Sequence, residues 1–223
     1  MTISKSDAFV LHLQAEGSRV TSRVPLSVMH AGLRVVSATD KRNVLRVVEG
    51  ETNLKERFAI FRESSPASRF SKAVFLSHTR VLEMIAERRA GARVDGAGRP
   101  DRSSADWAAV FEDGAVFTAP LGGEGLRFVP PEGEEIDLVM VGKREEQLFL
   151  TLGPPGRRRV ISGFGTIGYA VNTSAIGKVL GALSTYESCQ PIDLQLVELS
   201  AAGILNVFAS GDGGMTVSRG RFR

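Results

Sequence analysis

Apolar residues in this chain come in short runs, and each run is closed by a glycine, a proline or a cluster of polar turn residues. That punctuation favours many strands over long helices, and it leaves nothing near the ~20 consecutive apolar residues of a bilayer span. "AFVLHLQAEGSRVTSRV" alternates and turns at Glu16-Gly17, as a hairpin does. Pro25 then opens a helical stripe of Leu26, Met29, Leu33 and Val36. Asn43 to Val48 and Arg57 to Phe61 read as strands around "EGETN". "SKAVFL" reads as another, leading into a helix capped by Ser77, lined by Val81, Leu82 and Ile85, and stopped at Gly91.

The second half repeats this style. "WAAVFEDGAVFTAPL" predicts a hairpin turning at Asp113-Gly114, and "EIDLVMVGKREEQLFLTLG" predicts two strands joined at Gly142-Lys143-Arg144. A helix follows, capped by Asn172 or Thr173, with Ile176, Val179, Leu180 and Leu183 on one face. "IDLQLVEL", "ILNVFAS" and "MTVSRGRF" close the chain as strands. The expected fold is therefore α+β, mainly antiparallel sheets with about three helices packed on one face.

At 223 residues and 43% hydrophobic content the chain can bury a substantial core. "GARVDGAGRPDRSSAD", residues 91–106, is rich in glycine, arginine and serine without periodicity, as is the connection at 119–134. The first of these divides an N-terminal α+β subdomain, 1–105, from a C-terminal β-rich subdomain with one helix, 106–223, unless both belong to one compact unit. "MTISKSDAFVLHLQ" has no apolar core of a signal peptide, so a cytoplasmic protein without a membrane partner is expected.

Reactive residues are sparse. Cys189 is the single cysteine, and His12, His30 and His78 lie far apart with no ligand spacing. His12 falls in an alternating strand pattern, and His30 and His78 at helical positions. Glu112 and Asp113 fall in a turn, where solvated carboxylates are ordinary. Trp107, Phe111 and Phe117 suit alternating core positions of a hairpin better than a base-stacking platform. No phosphate-loop lysine, Gly-x-Ser-x-Gly elbow or close Cys/His pair occurs, so the expectation is no catalytic set, no metal and no cofactor.

"ISGFGTIGYAV" contains the spacing Gly163-x-Gly165-x-x-Gly168, which resembles the opening of a nicotinamide-dependent dehydrogenase. That chemistry needs a helix N-terminus at the glycines and an acidic residue about twenty residues on. Glu198 lies thirty residues past Gly168, and the surroundings are not βαβ. The glycines are expected to belong to a strand and its bends, with a nucleotide-binding enzyme as the alternative. "EEIDLVMVGKREEQLFLTL" is similar to the hairpin core of restriction-like and Holliday-junction nucleases. Asp137 matches their aspartate, but the second carboxylate and the lysine would fall near Thr151 and Gly153, which can do neither job.

Residues 169–217, from "YAVNTSAIGKVLGAL" through "QPIDLQLVELSAAGILNVFASGDGGMTV", resemble a repeat unit of DNA sliding clamps of the proliferating-cell type. In those, a strand feeds a helix at a "VN-T/S" step, and three antiparallel strands follow. The resemblance implies a helix facing DNA, with Lys178 as its basic residue. Net charge is only +3, but arginines cluster at 88–89, 99 and 102, 157–159, and 219, 221 and 223. Arg157, Arg158, Arg159, Lys178, Arg219, Arg221 and Arg223 are thus the candidate phosphate contacts. The expected function is a non-catalytic, nucleic-acid-associated or assembly protein in a larger complex, with protein partners or self-association. A structural assembly subunit that never meets nucleic acid is the other alternative.

Overall fold

A computed structural model describes residues 2–3, 7–12, 33–51, 53–91, 107–112, 115–117, 126–127, 135–141, 150–153, 158–163, 168–209 and 217–219. Its centre is one sheet made of β2 (Ala8–His12), β3 (Arg34–Ser37), β4 (Trp107–Glu112), β7 (Leu138–Met140), β8 (Leu150–Leu152), β9 (Arg158–Ser162), β10 (Gly168–Asn172) and β11 (Val207–Ala209). The spatial order is β3–β2–β4–β10–β7–β11–β9–β8. Two short antiparallel pairs stand beside it: β1 (Thr2–Ile3) with β6 (Leu126–Arg127), and β5 (Ala115–Phe117) with β12 (Val217–Arg219).

The class is α+β, as the sequence predicts, but the sheet is mixed. β2 runs parallel to both β3 and β4, and β7 runs parallel to β11. The expected hairpins differ accordingly. β4 pairs with β2 and β10 while β5 pairs with β12, so the two strands are not partners; the expected turn at Asp113-Gly114 itself lies outside the described residues. β7 and β8 pair with other partners and are not neighbours. Local alternation marks a strand well, yet its partner is decided by which long-range pairing buries both faces.

Five α-helices lie among the described residues: α1 (Val44–Gly50), α2 (Asn53–Arg57), α3 (Arg69–Gly91), α4 (Ile176–Thr185) and α5 (Ile192–Ala201). Several replace expected strands. Val44 and Val48 sit four apart and are both buried, so "VLRVV" satisfies a helical period that outweighs its β-branched preference. "ERFAIF" divides between the end of α2 and a 3-10 turn at Ala59–Phe61, where Phe58, Phe61 and Phe75 meet edge to face. "SKAVFL" belongs to α3. Ser68, not Ser77, caps that helix by accepting from the Ser71 N–H at 3.1 Å. "IDLQLVEL" is α5, with Ile192, Leu196 and Leu199 buried along one stripe. Of the Pro25 helix, residues 25–32 lie outside the described residues, and Val36 belongs to β3.

Alternate residues of the central strands feed two cores. Ala108, Val110, Tyr169, Val171, Leu138 and Met140 face the helices, and buried hydrophobic residues from all five helices join that cluster. Trp107, Ala109, Phe111, Val139, Ala170 and Phe208 face the other way, against Ile3, Leu33 and Ala115. Helices therefore do pack on one face. Trp107 and Phe111 are core residues, as expected for alternating positions. No helix among the described residues is long and apolar enough to cross a membrane.

Gly168 is required by packing. A Cβ there would meet the Phe111 ring at 2.5 Å and Val141 at 3.2 Å. Gly168→Ala should cost about 1–3 kcal/mol in urea unfolding, and Phe111→Leu in the same chain should recover part of it. An unchanged midpoint would show that the strand pair packs otherwise. A second expectation concerns acid. Arg62 grips Glu187 across the molecule, with Nη2 2.8 Å from Oε1, and holds its carboxyl below the ordinary 4.5. A depressed carboxylate adds stability above its unfolded value that is lost as pH falls through the folded one. Glu187→Gln should flatten the stability curve between about pH 5 and pH 2 and leave its neutral-pH slope unchanged.

Candidate functional site

Parallel strands put their carboxyl ends on one side of a sheet, and open sheets bind ligands there. Here β2, β3 and β4 share that edge. Leu11 stands beside both Val36 and Glu112 in register. α3 crosses above them, and between helix and strand ends lies a cleft of about 260 Å³. Leu11, Ala38 and Thr39 form its floor side, Phe70, Ala73 and Val74 its helix side, and Lys41 belongs to its lining. Phe70 is 58% exposed, large for an aromatic ring without a surface role.

Two polar residues enter this lining for geometric reasons. Side chains on a strand alternate, so Ala108, Val110 and Glu112 project to the helix side of β4. Glu112 is the last of that series and carries a carboxylate where its predecessors are apolar. On α3, Phe75, His78, Leu82 and Ile85 fall on one buried stripe at helical spacing. His78 therefore comes to the inner wall of the cleft, only 1% exposed. Ser77 braces the same wall: its Oγ donates to the Ala73 carbonyl at 2.7 Å and accepts from the Thr39 N–H at 2.8 Å.

His78 Nδ1 lies 3.1 Å from the Tyr169 hydroxyl. Burial, and secondarily the Glu112 charge, push the Tyr169 pKa far upward, so its phenol stays protonated. A buried O–H needs an acceptor, and Nδ1 is its one hydrogen-bond partner among the described residues. Tyr169 must then donate to Nδ1, which places the imidazole proton on Nε2. That Nε2–H is buried with no partner. Glu112 Oε1 stands 3.8 Å away, too far for a hydrogen bond. The cleft thus holds an unused donor beside a carboxylate.

The sequence pointed elsewhere. Lys178 Nζ is bonded to the buried Asp137 at 2.5 Å, and Asp137 also accepts from the Asn206 N–H at 2.8 Å. Asp137 is thereby a structural anchor between β7, α4 and the start of β11. Arg159 donates Nη2 to the carbonyls of Ser200 at 2.6 Å and Leu205 at 3.2 Å, clamping the end of α5. Arg158 and Arg219 lie in β9 and β12. Arg157, Arg221 and Arg223 lie outside the described residues.

The glycine motif is split likewise. Gly163, at φ 135°, follows β9, and Gly168 opens β10, with Gly165 outside the described residues. The next helix begins only at Ile176, after Asn172 has capped a 3-10 turn by accepting from Ser174 N–H. That is the strand-and-bend arrangement expected from the residues. In the unit resembling a sliding clamp, α5 occupies the place of the first of three strands. His30 lies outside the described residues, and among these no group of three His, Cys, Asp or Glu side chains converges.

No protein-family model and no curated protein matches the chain, so the site's chemistry is read from its own geometry. His78 and Glu112 were legible only as parity: a histidine on the apolar stripe of a helix, and a carboxylate on the inward series of a strand. Tyr169→Phe should cost about 1–3 kcal/mol by leaving Nδ1 without its donor. Long-range proton–nitrogen spectra should show His78 protonated at Nε2 in the unmodified protein. A proton on Nδ1 would reverse the donor assignment.

Proposed function

We propose that this protein works by binding, and that the cleft under α3 receives a small, compact ligand. The single observation carrying this reading is the buried, unpartnered Nε2–H of His78 on the cleft wall beside Glu112. Native interiors leave few such groups unpaired, and exceptions concentrate where a ligand or a water completes the set. The remaining lining is mostly apolar, which suits a ligand body of modest size. Ser77 and Thr79, the hydroxyls flanking His78 on α3, are committed to protein partners, Ser77 to Ala73 and Thr39 and Thr79 to the Phe75 and Leu76 carbonyls. A non-catalytic role agrees with that arrangement.

The nucleic-acid-associated or assembly role expected from the arginine clusters has a narrower basis. Lys178 and Arg159 are engaged within the protein, so that role rests on Arg157, Arg158, Arg219, Arg221 and Arg223.

Benzyl alcohol, a neutral ring with one hydroxyl, serves as a probe for the cleft. Its titration should shift the amide and methyl resonances of Leu11, Thr39, Val74 and Ser77 saturably. Val74→Trp, at a half-buried position on the helix wall, should abolish those shifts without altering the fold measured by circular dichroism. Salt-dependent duplex binding with an indifferent cleft would instead favour the arginine-based role.

A further inference from the structure

The charged side chains of the cleft lining decide which head group it accepts. Lys41 and Glu112 carry that charge, and His78, in the tautomer set by Tyr169, adds none. Glu112 stands 3.8 Å from His78 and has further interactions within the protein. Lys41 is exposed, and its side chain makes no hydrogen bond or ion pair among the described residues. Its neighbour Asp40 is gripped by Arg42, which donates its own N–H at 2.8 Å to one carboxylate oxygen and Nε at 2.9 Å to the other. Of the two lining charges, the lysine is the one a ligand can answer.

The two charges also belong to different sides of the cleft. Phe70 and His78 are eight residues apart on α3, about 12 Å along the helix, so Glu112 belongs to the His78 end. Across the sheet, β2 lies between β3 and β4, which puts the backbones of Val36 and Glu112 about 10 Å apart at the ordinary strand spacing. Lys41 follows β3, on the far side of β2 from β4. The Phe70 end favours an anion for a second reason. Arg69 opens α3, and no acid lies in that first turn to offset the positive helix terminus.

We propose that the cleft takes a compact monocarboxylate carried on an apolar ring: the carboxylate pairs with Lys41, and the ring lies along Phe70 and Val74. The assignment deepens the binding reading and rests on the cleft being a ligand site. A cationic head group would meet Lys41 with its own sign, and a neutral one would leave the ammonium to water. A phosphate calls for several donors or a guanidinium fork, and the lining among the described residues offers one ammonium. Glu112, bearing the carboxylate's own sign, opposes the reverse orientation and receives no bond from the ligand. Leu11 and Ala73 complete the apolar surface under the ring.

The test compares three probes that share one ring: phenylacetate, its neutral counterpart phenylacetamide, and the cation 2-phenylethylamine. Each is titrated into the full chain at low salt and neutral pH and followed through the Leu11, Thr39, Val74 and Ser77 resonances. Phenylacetate should bind about three- to five-fold more tightly than phenylacetamide, as a solvent-exposed charge pair allows. The amine should bind more weakly than either. Raising the salt to about 1 M should shrink the preference. Lys41→Met should bring phenylacetate down to the affinity of phenylacetamide, and Lys41→Arg should keep the two apart.

Equal affinities for the acid and the amide, with benzyl alcohol still seated in the cleft, would overturn the carboxylate assignment and leave the binding role standing. A preference that survives Lys41→Met, or tightest binding by the amine, would have the same consequence. Failure of every probe, benzyl alcohol included, would overturn both.

Discussion

The antiparallel pairing of β4 with β10 is the contact on which the rest of the molecule depends. It runs in register from Gly168 opposite Phe111 to Asn172 opposite Trp107. Both strands are covered on both faces, so every residue between them is chosen by packing. Gly168 is there because Phe111 occupies the space of its missing Cβ. Tyr169 stands beside Val110 on the helix side and so comes within reach of His78. One strand pair therefore fixes the second core and the orientation of the imidazole in the cleft.

Around that pair, buried polar groups tie the later elements to the sheet. Asp137 holds Lys178 of α4 and the Asn206 N–H before β11. Arg159 and Ser200 join β9 to the end of α5, the serine hydroxyl donating to the Val160 carbonyl at 2.6 Å. Asp137, Arg159 and Ser200 each bond two protein groups and so rigidify their neighbours. This also explains why basic residues that look available in the sequence do not behave as free surface charges. A lysine next to a buried aspartate in space is a structural cation, whatever its helix resembles.

How far the sequence was legible depended on whether an apolar pattern fitted one period or two. "GYAVN" and the α4 segment each fit one, and they are read correctly as strand and helix. "IDLQLVEL" fits both: Ile192, Leu194 and Leu196 alternate, while Ile192, Leu196 and Leu199 form a helical stripe. Packing against β9 and α3 selects the helix, and no local signal could. α3 was cut in two because a serine inside a helix looks like a cap. Ser77 instead back-bonds to the Ala73 carbonyl. Parallel pairing of β2 with β3 and β4, and hence the cleft, is a long-range outcome that short-range patterns do not encode.

The buried Nε2 of His78 is costly to keep unpaired. An unpaired buried donor is unfavourable by about 1–3 kcal/mol, and an apolar residue at position 78 would remove it only by leaving the buried Tyr169 hydroxyl without its acceptor. Glu112 ends a series of small and branched apolar residues at the half-buried end of β4. Asp137 and Arg159 are each answered by two protein groups. His78 is bonded on Nδ1, and its Nε2 is buried without a partner. The unanswered Nε2–H therefore subtracts from the stability of the protein, a cost that the Nδ1 bond to Tyr169 partly offsets.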